Sequence, residues 1–84
     1  MQVILKPIAE KQHERLNEPH KSRISRALMK LENDPPEGNI KKLQGRDSYR
    51  LAVGDYRVLF DIINNDPIII SVYKIGPRGD VYKK

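Results

Sequence analysis

The chain has no cysteine, no tryptophan, one phenylalanine and two histidines among its 84 residues. Without cysteine there is neither a disulfide framework nor a thiolate metal site. Two histidines are also too few to hold zinc by themselves, so neither a metal nor a cofactor is expected. No apolar run approaches the roughly 20 residues that cross a bilayer. The opening MQVILKPIAEKQHE lacks a basic stretch followed by a cleavable apolar core, and does not read as a signal peptide. These absences leave a cytoplasmic domain with no membrane partner as the expectation. At 84 residues the chain reads as a single domain over 1–84, with no room for separate catalytic and regulatory units. A domain this small buries only about two-thirds of its unfolded surface, so its stability margin is thin.

What the sequence does have is positive charge. Sixteen Lys and Arg face eleven Asp and Glu, a net +5, on a chain that is 38% hydrophobic with a mean hydropathy of -0.65. The excess is uneven. Residues 1–39 hold seven basic and six acidic groups, whereas residues 40–84 hold nine and five. A basic excess in one half points to a polyanionic partner, with RNA, DNA and an acidic protein segment as candidates.

Periodicity gives the elements. Gln2 to Leu5 is a short β-branched run that Pro7 stops, a first strand. Ile8 to Leu16 fits a helix, which Asn17-Glu18-Pro19 breaks. Pro19 suits the first turn of a second helix. There Ile24, Ala27, Leu28 and Leu31 follow i, i+3, i+4, i+7, a stripe that faces a core, and Asn33-Asp34-Pro35-Pro36 ends it. After a loop through Gly38 and Gly45 the period becomes two. Ser48 to Val53 and Tyr56 to Ile63 read as strands joined at Gly54-Asp55 by a two-residue hairpin turn. A turn at Asn64–Pro67 leads to an apolar strand, Ile68 to Ile75, suited to a sheet interior. The residues from Gly76 to Lys84 read as an irregular polar tail. The expected fold is α+β in the order β-α-α-β-β-β, a two-helix hairpin on one face of a mainly antiparallel four-stranded sheet.

The hairpin turn fixes a register: Val53 opposite Tyr56, Ala52 opposite Arg57, Leu51 opposite Val58, Arg50 opposite Leu59. Side chains alternate between faces. Tyr49, Leu51, Val53, Tyr56, Val58, Phe60 and Ile62 then form an apolar face for the helices. Arg50, Ala52, Arg57, Leu59 and Asp61 lie on the opposite, solvated face. Arg78 follows the last strand and can sit near that second face, with Tyr82 four residues on. Guanidinium groups grip phosphate bidentately and a phenol ring stacks on a base. Singly, a strand arginine reads as solvated or ion-paired, here with Asp61 or Asp55. Their convergence on one surface is what makes a phosphate-and-base site. His13 and His20 read as surface residues rather than an acid–base pair. Lys21, Arg23, Arg26 and Lys30 read as a solvated basic face of the second helix.

Three stretches carry a family resemblance: Lys42-Leu43-Gln44-Gly45 leading into Tyr49-Arg50-Leu51, Val53-Gly54-Asp55-Tyr56-Arg57-Val58, and Gly76-Pro77-Arg78-Gly79-Asp80-Val81-Tyr82. With the element order, they resemble the RelE branch of the RelE/ParE toxin superfamily over nearly the whole chain. The resemblance implies the toxin of a type II toxin–antitoxin module, a metal-independent endoribonuclease that enters the ribosomal A site, cuts mRNA and so inhibits translation. Its implied partners are a cognate antitoxin, the 70S ribosome and mRNA, with operator DNA reached only through the toxin–antitoxin complex. Carried over by position, Arg57 would contact the scissile phosphate and Arg78 would stabilise the transition-state charge. Tyr82 would stack on a base and help orient or deprotonate the 2′-hydroxyl. Arg50, Lys42, Lys74 and Lys83 would contact RNA. Two positions depart from the pattern. Ala52 stands where many relatives have a basic residue, implying a weakened site, and Pro77 stands where a polar or basic residue is common. The alternatives are a ParE-like DNA gyrase inhibitor without nuclease activity and a member that only binds its antitoxin.

Overall fold

The computed structural model describes residues 1–45 and 47–82. Two helices and a five-stranded sheet follow the order β1 (Gln2–Leu5), α1 (Pro7–Glu14), α2 (His20–Leu31), β2 (Asn39–Lys42), β3 (Tyr49–Val53), β4 (Tyr56–Ile63) and β5 (Ile69–Pro77). Across the sheet the strands run β1-β5-β4-β3-β2. β1 lies parallel to β5, and the other three pairings are antiparallel. The α+β class and the helix pair on one face are as expected.

One strand more is present than the sequence pattern gave. Asn39–Lys42, expected in a loop, is an edge strand that pairs Ile40 with Leu51 and Lys41 with Arg50. Only Ile40 of its four residues is more than marginally covered, so it is too short and too polar to display an alternation. Its entry is set by Gly38, which has φ +139° and lies so near the core that an added Cβ would stand 2.6 Å from Leu51 Cδ1.

The β3–β4 register is the one the turn dictates, Val53 opposite Tyr56 through Arg50 opposite Leu59. Gly54 has φ +58° and Asp55 a negative φ, the sign pattern of a type II′ turn, which demands glycine first. The apolar face packs on the helices as one core: Ala9, Ile24, Leu28, Leu31, Leu51, Val58, Phe60, Ile70, Val72 and Ile75. Tyr49 stacks on Phe60 at 5.7 Å within it.

Two features depart from strict alternation. A β-bulge between β4 and β5 sets Leu59 opposite Lys74 and Phe60 opposite Val72, leaving Tyr73 as the extra residue. Its hydroxyl meets Ser48 Oγ at 2.6 Å. Leu59, placed by the pattern on the solvated face, is only 3% exposed yet is not part of the helix-side core. It lies between Arg50 on β3 and Lys74 on β5, whose long side chains suit covering an apolar neighbour.

β5 outruns β1, whose last paired residue is Leu5, opposite Val72. The amide of Ile75, beyond that point, donates instead to Gln12 Oε1 of α1 at 2.7 Å. Gln12 thus stands in for the missing strand and satisfies a backbone donor that would otherwise be left unpaired.

Candidate nucleic-acid interface

The outer face of the sheet, away from the helices, is organised in rows. Ala52, Arg57 and Gly76 form one row, with Asn39 at its β2 end. Lys41, Arg50, Leu59 and Lys74 form the next, about 7 Å along the strands. Beyond the first row, Pro77 faces Tyr56 and the Arg78 amide donates to the Asp55 carbonyl at 2.7 Å. The main chain of Arg78 is thereby fixed against the β3–β4 turn, beside the strand end that carries Arg57. The chain then makes one helical turn, with the amides of Asp80 and Val81 both donating to the Pro77 carbonyl at 3.0 and 2.9 Å. Val81 is buried, and Tyr82 follows it half exposed at 50%.

Of the residues singled out from the sequence, Arg57, Arg78 and Tyr82 therefore come to the hairpin end of the sheet. Arg50 and Lys74 lie in the adjoining row. Lys42 does not join them: it pairs with Tyr49, further from the turn, and its Nζ lies 3.5 Å from Asp47. Lys83 lies outside the described residues. The residue missed by the sequence reading is Lys41, which stands opposite Arg50. The signal was Ile40, one half-buried residue between Asn39 and Lys41, which marks those two as outward-facing once 39–42 is taken as a strand.

Arg57 and Arg50 bind main-chain oxygens rather than Asp55 or Asp61. Arg57 Nη1 donates to the carbonyls of Gly54 and Tyr56, each at 2.8 Å. Arg50 Nη1 donates to the Asn39 carbonyl at 3.0 Å and to its Oδ1 at 3.4 Å. A guanidinium has five N–H donors, so Arg57 is oriented by one nitrogen while Nε and Nη2 remain to grip a phosphate. Ala52, directly opposite Arg57, adds no charge to the row.

Both histidines are more than surface residues. His13 Nε2 meets Ser25 Oγ at 2.8 Å, linking α1 to α2, and His20 stacks on Tyr56 with ring centroids 4.6 Å apart. Both partners lie on the helix side of the sheet, away from Arg57. On α2, Arg23, Arg26 and Lys30 border a cavity of about 280 Å³ shared with Ala52 and Val53. Among the described residues no group of three or more His, Cys, Asp or Glu comes together as a metal site, and no helix is long and apolar enough to cross a membrane.

The fold is thus a helical hairpin on one face of a five-stranded sheet whose opposite face carries cationic residues. Residues 3–82 match the family described as ParE toxin of type II toxin–antitoxin system, parDE. The chain belongs to this family, within the RelE/ParE superfamily of type II toxins. No curated protein sequence matches it. Among solved structures it is similar to the RelB–RelE antitoxin–toxin complex from Methanococcus jannaschii, at 23% identity and TM-score 0.71 over 94% of each chain. It is likewise similar to the intact E. coli RelBE toxin–antitoxin complex, at 22% identity and TM-score 0.71 over 90% of this chain and 94% of that one. Both likenesses concern the fold.

Proposed function

We propose that the chain is a ribosome-dependent endoribonuclease that cleaves mRNA and is neutralised by a cognate antitoxin. The observation that carries the reading is the gathering of Arg57, Arg78 and Tyr82 at one end of the outer face, beside the Lys41–Arg50–Lys74 row. Cleavage of RNA through its own 2′-hydroxyl forms a bond from the 2′-oxygen to phosphorus and breaks the one to the 5′-oxygen. One proton leaves the 2′-oxygen and another is delivered to the 5′-oxygen. The pentavalent intermediate gathers negative charge on its non-bridging oxygens. Arg57, steadied by the turn carbonyls, and Arg78, tethered to Asp55, are the groups to receive it, and such charge stabilisation is commonly the largest catalytic contribution. Arginine stays protonated at neutral pH and cannot take the 2′-proton. That role falls to Tyr82, whose phenol oxygen is the remaining proton-accepting side-chain group in the gathering. With no strong base in the row, alignment of the RNA by the ribosome must supply much of the rate, since orientation is worth several powers of ten.

The second reading is inhibition of DNA gyrase without nuclease activity. Two observations favour it: the family match is to the ParE toxin description, and Ala52 leaves the Arg57 row with a single guanidinium. Primer extension on an mRNA in a reconstituted translation system, comparing this chain with Ala52→Arg, separates the two. Cuts within A-site codons are expected, about tenfold or more stronger with the added arginine. Intact mRNA with both folded proteins, together with loss of supercoiling in a gyrase assay, replaces the nuclease by the gyrase reading.

A further inference from the structure

We infer that Val81 is the positioning residue of this site: its side chain, seated on the outer face over Gly76, holds Arg78 and Tyr82 in place against Arg57. The kinetic part of this inference rests on the nuclease reading; the structural part does not. β5 ends at Pro77, and the residues beyond it have left the sheet's hydrogen-bond ladder. Arg78 is exposed and Tyr82 half exposed, so neither side chain is held as a core residue is. Two anchors remain. One is the single bond from the Arg78 amide to Asp55. The other is Val81, 2% exposed, whose Cβ and Cγ2 stand 3.7 Å from where a side chain on Gly76 would begin.

The place of Val81 argues against an ordinary core role. It is buried but does not belong to the cluster under the helices. A Cβ on Gly76, in the row of Ala52 and Arg57, would point to the outer face, and that is where Val81 sits. Gly76 leaves the space and Val81 fills it. The helical turn from Pro77 to Val81 makes the span rigid, with Arg78 at its start and Tyr82 directly after its end. Fixing Val81 therefore fixes the main chain from which both exposed side chains project. Shifts of about an ångström in such groups cost up to roughly a hundredfold in rate.

The test uses the full chain and its Val81→Ala and Val81→Ile variants. Amide hydrogen exchange followed by NMR reports on anchoring whatever the activity is. Exchange at the Arg78 amide is expected to rise by about tenfold or more in Val81→Ala, with Phe60 unchanged and Val81→Ile close to the parent. In the reconstituted translation system, Val81→Ala is expected to lower the cleavage rate at saturation by about tenfold or more. The half-saturating concentration should move less than about threefold, and Val81→Ile should restore the rate. Unchanged exchange at Arg78 overturns the inference. Equal acceleration at Phe60 also overturns it, because Val81 is then a general stabiliser. If the parent cleaves nothing, the nuclease reading fails, and the exchange result alone decides whether Val81 anchors the segment.

Discussion

At the scale of single residues, Gly38 shows how a backbone position is chosen for want of a side chain. Its φ of +139° is one that side-chain-bearing residues rarely adopt, and a methyl there would meet Leu51 Cδ1 at 2.6 Å. Leu51 is 1% exposed and has little freedom to retreat. Gly38→Ala is expected to destabilise the fold by about 2–4 kcal/mol, the cost of a strained φ together with local overpacking. Chemical denaturation checks this, with an unchanged m-value showing that the native compactness is kept. Arg57 and Arg50 teach a different point. Each spends one guanidinium nitrogen on nearby carbonyls, which costs little charge but removes much of the freedom of a long side chain. The sequence placed both on the outer face through the turn at Gly54-Asp55. It could not show that backbone oxygens, not carboxylates, would orient them, because those contacts depend on how the turn and β2 close.

At the scale of elements, α2 has an entry that electrostatics stabilises. Pro19 precedes the helix without a side-chain cap of its own, and Glu18 fills the need. Its carboxylate accepts from the Ser22 amide at 2.9 Å and from Ser22 Oγ at 2.7 Å. The Ser22 hydroxyl, then the Ser22 amide, hold the Glu18 carboxyl below its ordinary range against desolvation, with Lys21 and Arg26 adding weaker attraction. A carboxyl depressed in the folded state contributes stability above its unfolded pKa and loses it as pH falls through the folded one. The contribution of Glu18 should therefore be present at neutral pH and fade below about pH 4. Thermal melts of Glu18→Gln against the parent are expected to show a lower Tm for the variant at pH 7, with the gap closing toward pH 3. The same element was plain in the sequence, since its apolar stripe runs Ile24, Ala27, Leu28, Leu31. Strands β3 and β4 were plain as well, and β5 as far as Ile75, but Gly76 and Pro77, read as the start of an irregular tail, continue it opposite Arg57 and Tyr56. β2 was not, because four residues with one apolar member carry no period, and its existence follows from the unpaired edge of β3 rather than from its own composition. The bulge at Tyr73 was equally invisible. An extra residue in a strand whose polar members, Ser71 and Lys74, do not keep a period of two leaves no mark until both neighbours are in register.

At the scale of the whole molecule, the net charge of +5 acquires a direction. Five cationic side chains, Lys41, Arg50, Arg57, Lys74 and Arg78, belong to the outer face or the segment bordering it. If they bind RNA, affinity must fall with salt, each phosphate contact on a single strand adding about 0.7 to the slope of log K against log salt. Arg57→Ala is expected to lower that slope by about 0.7 and Ala52→Arg to raise it by a similar amount. Lys42→Ala, altering a lysine engaged with Asp47, is expected to leave it nearly unchanged. Fluorescence anisotropy with an unstructured RNA at several salt concentrations measures all three.

The parallel pairing of β1 with β5 has a consequence in time. Gln2 cannot be paired until Ile69 exists, and Arg57 on β4 stays at an open edge until Gly76 arrives beside it. At synthesis rates of about 5–20 residues per second, the first strand waits roughly 3–13 s for its neighbour. The helices and the hairpin emerge earlier, but the strand that joins them to β1 and completes the cationic face is made after all of them. Pairing of this range is intrinsically slow to form. Until β5 is made, the helical and hairpin segments lack the strand that joins them to β1, and the cationic rows cannot be completed before it.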